Sequence, residues 1–169
     1  MNIFATSPCP FISAISLDNK RVIKMILETA QLLSSAIFQY IPEKTKEEGL
    51  YKPTHIKHPC TIWTGESHEN AQWLLKYFRF LSNEYTYRYK KSHKSYTLYE
   101  KFTKLLKYIP KKGLTNFANC TRSPGIDYRN EKDTFLAYRK YLSFKWDNDK
   151  KPPKWGGRGQ HKWYIKKDI

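Results

Sequence analysis

The 169-residue sequence has no long hydrophobic run. Lys, Arg, Glu or Asn interrupts every apolar stretch before the roughly 18 to 20 residues that cross a bilayer, which excludes a membrane-spanning helix. Acidic residues are scarce, fifteen against thirty-one Lys and Arg, so the chain carries a net charge of +16. A field of that sign excludes polycations as partners and makes polyanions the expected ones. Cysteine is rarer still. Cys9, Cys60 and Cys120 are an odd number with no Cys-x-x-Cys pair, which excludes a disulfide framework and leaves reduced thiols. With only seven glycines there is no phosphate-cradling loop and no Gly-x-Ser-x-Gly elbow, and a zinc deaminase signature is missing. The first nineteen residues lack a basic region ahead of an apolar core, so no secretory signal is expected and an intracellular location follows by default.

What is present is enough apolar material to fold: 40% of the residues are hydrophobic and 16% aromatic. The length suits one domain. After Asp18 and Asn19, either of which can cap, Val22, Ile23, Met25, Ile26, Ala30, Leu33 and Ile37 recur at helical steps, predicting a helix over 19–40 that Pro42 stops. The polar stretch 43–53 reads as a surface connection. A second helix is expected from about Ser67 to Lys91, with Trp73, Leu74, Tyr77, Phe78, Leu81, Tyr85 and Tyr89 inward. A third spans 95–109, ended by Pro110 and Gly113, and a fourth spans 131–146 after a Ser-Pro-Gly turn. The expected architecture is an all-α single domain, a bundle of about four helices over 1–149. Beyond it, 150–169 is a basic, irregular tail whose Arg158 and Lys162 suit a phosphate backbone and whose composition does not suggest core.

Nucleic acid is the favoured polyanion, because phosphate neutralisation supplies most non-specific affinity. Anionic lipid ranks below it, since the basic residues are interleaved with Tyr and Trp instead of lying opposite a Leu-rich face. Candidate contacts fall in three groups. On the first helix Arg21, Lys24, Glu28, Gln31 and Ser35 share one face. That face reads either as solvent-exposed helix surface or as a carboxylate placed among cations for proton transfer. In the 51–63 loop, Lys52, His55, Lys57 and His58 are expected to touch phosphates, with Trp63 as a core anchor. His55, His58, Cys60 and His68 are metal-capable, but their spacing matches no standard zinc site and no metal is expected. At the end of the second helix, Tyr87 and Arg88 with Lys90, Lys91 and Lys94 form a cationic, aromatic patch suited to base stacking.

The stretch Asn19-Lys-Arg-Val-Ile-Lys-Met-Ile-Leu-Glu28 resembles the first helix of the small pyrimidine-dimer DNA glycosylases with abasic-site lyase activity found in phages and algal viruses. That family carries an Asp-x-His pair ahead of a catalytic Glu. Glu28 matches the Glu; Asn19 and Arg21 stand at the Asp and His positions. The strings 51–63 and 84–89 are similar to those of a phage-type family of uncharacterised proteins. The resemblance implies a main-chain amine as nucleophile, attacking the sugar carbon of the damaged nucleotide to form a Schiff base, with Glu28 stabilising the sugar cation and moving protons. An α-amine suits this step because far more of it is neutral at pH 7 than of a Lys side chain. Asn2 is too bulky for ready removal of the initiator Met, so the amine is that of Met1 unless processing exposes Asn2. The implied partner is double-stranded DNA, with RNA as the alternative, and neither a cofactor nor an obligate protein partner is implied. A non-catalytic DNA- or RNA-binding protein on the same scaffold, or a structural component of a nucleoprotein particle, are the competing readings.

Overall fold

Residues 1–164 are described by a computed structural model. The predicted first helix is present. In the described residues α1 runs Pro10–Ile15, α2 Asn19–Phe38, α3 Pro42–Glu47, α4 Pro59–Glu66, α5 His68–Tyr89, α6 Tyr99–Leu105 and α7 Thr134–Asp147. The chain is mostly helical, in seven segments where four are expected. The three extra helices, α1, α3 and α4, are six to eight residues long and each starts at a proline. Helices this short show little periodicity, and proline at the first turn gives up an N–H that has no partner there anyway. The predicted third helix is one α-helix between two 3-10 turns, and the Ser-Pro-Gly turn closes a two-residue antiparallel hairpin, β1 (Arg122–Ser123) with β2 (Ile126–Asp127).

Helix α2 is buried over most of its surface, from Val22 and Met25 to Leu32, Leu33, Ala36 and Ile37, but Ile23, expected in the apolar set, is exposed with Lys24 and Leu27. It packs on α5 and α4, while α1 lies along α5. Ser67 caps α5 by accepting from the Asn70 N–H at 3.1 Å, and Asp133 caps α7 through Phe135 and Leu136. Trp73, Leu74, Tyr77, Phe78 and Leu81 are buried, as their spacing predicts.

The tail differs from its compositional reading. Trp155 and Tyr164 are buried and belong to the core. Trp146 of α7 is enclosed by Trp155 (5.1 Å between ring centroids), Trp163 (5.3 Å) and Tyr164 (4.9 Å). The polar ends of these rings are satisfied: Trp155 donates to the Ser16 carbonyl at 3.0 Å and Tyr164 to Asp147 at 2.9 Å. Aromatic rings bury 150–250 Å² each, so a few of them convert a Gly- and Lys-rich segment into core.

Burial lowers the pKa of His93 and of His161, in the latter with the Arg139 charge adding to it. In the fold His93 Nδ1 also accepts from the Ser95 N–H, which a protonated ring cannot do. The unfolded chain therefore takes up these protons first, so stability is complete above about pH 6.5 and falls as pH drops below it. Thermal melts should show Tm declining between about pH 6.5 and 5, above the range where carboxylates titrate; a flat Tm there would refute the assignment.

Candidate active site

The first residues of the chain are part of the core. Ile3 and Ala5 are fully buried, and Asn2 Oδ1 accepts from the Ile3 and Phe4 N–H groups at 2.8 and 3.1 Å. This Asx turn holds Phe4 in the left-handed region, φ +39°. Asn2 Nδ2 donates to the Cys120 carbonyl at 3.2 Å, across 118 residues. The Met1 side chain is only 4% exposed although the residue as a whole is half-buried, so its main chain is the accessible part.

These bonds aim the α-amine at α2. Met1 N lies 3.7 Å from Glu28 Oε2, and Lys24 Nζ lies 3.3 Å from Glu28 Oε1. The carboxylate thus stands between two cations, at the edge of the core: the Glu28 side chain is 12% exposed and that of Lys24 70%. Two further groups sense this centre. The fully buried Tyr77 phenol is pushed well up by burial, with the Glu28 charge adding to it. His58 is pulled down by burial and by the α-amine, with Glu28 opposing.

The shared helix face is therefore largely covered, and only Lys24 fits its reading as solvent surface. Gln31 is half-buried, and Ser35 is buried beneath the 51–58 loop, where its hydroxyl donates to the Thr54 carbonyl and accepts from the Thr54 N–H, each at 3.0 Å. Above this anchor Lys52, His55 and Lys57 are exposed and His58 is half-buried at the start of α4. Arg21 is buried and bound to Asp18 and Asp149, each at 2.9 Å. Asn19 accepts from Arg88 at 3.0 Å. Both residues at the resemblance's Asp and His positions are thus committed to bonds that fasten the start of α2.

The patch at the end of α5 is reorganised. Arg88 does not point outward: its side chain is 1% exposed and bound to Glu84 at 2.8 Å and to the Leu17 carbonyl at 2.9 Å. Arg158 of the tail pairs with the same Glu84 and lies over the Tyr87 ring, 4.5 Å from its centroid. Lys90 approaches that ring at 5.2 Å. Tyr87, Lys90, Lys91, Lys94 and Lys162 are exposed. Because Arg88 meets Asn19, this end of α5 lies about 13 Å along α2 from Glu28.

A family model of pyrimidine dimer DNA glycosylases matches residues 1–97, more than half of the chain. The chain belongs to the pyrimidine dimer DNA glycosylase family. No curated protein and no solved structure matches. The glycosylase match takes in Met1, Asn2, Glu28, the 51–63 loop and α5, and stops short of Cys120, α7 and the tail. Among the described residues no helix is long and apolar enough to cross a membrane.

Sequence reasoning missed Tyr77 as a neighbour of Glu28, because its place in a core stripe explains it fully. It also missed Cys120. No local signal places that residue beside the N-terminus, since the contact is made across the whole domain.

Proposed function

We propose that the protein is a DNA glycosylase and abasic-site lyase, in which the α-amine of Met1 is the nucleophile and Glu28 manages charge and protons. The observation that carries this reading is the 3.7 Å approach of Met1 N to Glu28 Oε2. The family match supports the substrate class, damaged pyrimidines in DNA. The neutral amine attacks C1′ of an extruded nucleotide, the C1′–N bond to the base breaks, and the base departs with a proton. Glu28 stabilises the positive charge at C1′ and takes the proton that the amine loses. Ring opening gives the Schiff base. Loss of a C2′ proton then expels the 3′ phosphate, and water releases the amine. Lys24, exposed beside Glu28, offers its charge to a flanking phosphate. The exposed groups of the 51–58 loop and the Tyr87–Lys94 patch hold the duplex on either side.

Borohydride reduction in the presence of an abasic duplex tests this reading. The expected product is a covalent adduct on the first peptide of the chain, whose mass also tells whether Met1 or Asn2 bears it. Absence of any adduct would favour the non-catalytic binder, and an adduct on a lysine would remove the α-amine as nucleophile. For the duplex interface, Lys52→Ala and Lys57→Ala should each make log affinity fall less steeply with log salt, by about 0.9 for each phosphate that is no longer neutralised. An unchanged slope in both would remove the loop from the interface.

A further inference from the structure

Beside the glycosylase centre lies a set of groups that the proposed reaction does not use. Cys60 Sγ and Cys120 Sγ are 3.3 Å apart, and with a ring nitrogen of His58 all three ligand atoms lie within 4.8 Å of one another. We propose that His58, Cys60 and Cys120 form a three-ligand site for a thiophilic divalent cation of the zinc class, linking the start of α4 to the 109–133 segment.

The geometry is close to what such an ion needs. Zn–S bonds of about 2.3 Å at tetrahedral angles put two sulfurs about 3.8 Å apart, so the pair has to open by only about half an ångström. Two thiols and an imidazole select zinc-like ions over magnesium or calcium, which take oxygen ligands. Pro59 assists. It holds His58 extended at the N-cap of α4, so that the ring folds back over the first turn, where its Nδ1 accepts from the Cys60 N–H at 3.2 Å. Placement of Cys120 is fixed independently: its N–H donates to Tyr138 Oη at 3.2 Å and its carbonyl accepts from Asn2. Supports of this kind set ligand orientation before an ion arrives.

The Cys60 S–H donates to Cys120 Sγ, so the two sulfurs already face each other. Entry of the ion displaces the protons of both thiols, which leave to solvent. The spacing of His58 and Cys60 alone matches no zinc motif; only the fold supplies the third ligand.

The test uses the full chain, reduced and stripped with a chelator, titrated with Co²⁺ and then Zn²⁺. One Co²⁺ per chain should bind with thiolate charge-transfer bands and intense tetrahedral d–d bands, and Zn²⁺ should bleach both. Cys120→Ser and His58→Ala should lose the charge-transfer signal or its tetrahedral intensity, with folding checked by circular dichroism, whereas Cys9→Ser, altering the exposed cysteine, should keep both. If the reduced wild-type chain shows no such bands, or if Cys9→Ser removes them, the proposal fails whatever the variants do. Recovery of a Cys60–Cys120 disulfide from a chain that takes up no ion after reduction would likewise overturn it.

Discussion

Glu28→Gln should lower strand cleavage at an abasic site by about 10²–10⁴-fold, the usual worth of a positioned acid–base group, while duplex affinity stays the same or rises slightly. The amide keeps the size of the carboxylate, so the 3.7 Å setting of the α-amine and the packing at the edge of α2 persist. In the proposed mechanism it removes a charge opposite the cation at C1′ and a place for the amine's proton. Affinity should not fall, because the substitution deletes a negative charge facing a polyanion and frees Lys24 from its 3.3 Å pair. Single-turnover cleavage and an equilibrium binding isotherm on the same abasic duplex separate the two effects. Cleavage within about tenfold of wild type would take Glu28 out of the mechanism.

The largest loss of stability is expected from Glu84→Ala. Glu84 and Arg88 are each 1% exposed, and removing the acid leaves the guanidinium buried without its counter-charge. Breaking a buried pair from one side costs about 3–5 kcal/mol, which for a chain of this size lowers Tm by roughly 10 °C. The partly exposed Arg158, at 37%, provides the comparison. Arg158→Ala leaves Glu84 still paired with Arg88 and should cost about 1 kcal/mol or less. Equal losses in the two variants would show that the tail, and not the buried pair, holds this corner together.

This corner also explains why the expected DNA patch changed composition. Arg88 follows Tyr87 in a basic run, and by composition alone such a run belongs to solvent. In the fold, the αL turn at Lys90 ends the helix and the Arg88 side chain reaches back to the carbonyls of Leu17 and Ile15. Gly156 then fits against it: a Cβ there would meet Arg88 Cγ at 2.9 Å, and its φ of +59° already favours glycine. Gly156 is the point at which the tail closes over the aliphatic part of the buried Arg88 side chain.

Local chemistry made part of the protein legible without coordinates. The 3.6-residue recurrence of apolar groups places α2 and α5 to within a few residues, and the Ser-Pro-Gly turn ahead of it places α7, because these signals are local to one stretch of chain. Likewise Glu28 stands out through a ten-residue string. Only the tertiary structure decided which charges are buried, that Trp155 and Tyr164 complete the core, and that the α-amine, Glu28, His58 and the Cys60–Cys120 pair lie together. Each of those depends on contacts between segments tens to more than a hundred residues apart, as in the bond from Asn2 to Cys120 across 118 residues. Such contacts leave no periodic trace in the chain, since their partners are chosen by the packing of whole helices and not by neighbours in sequence.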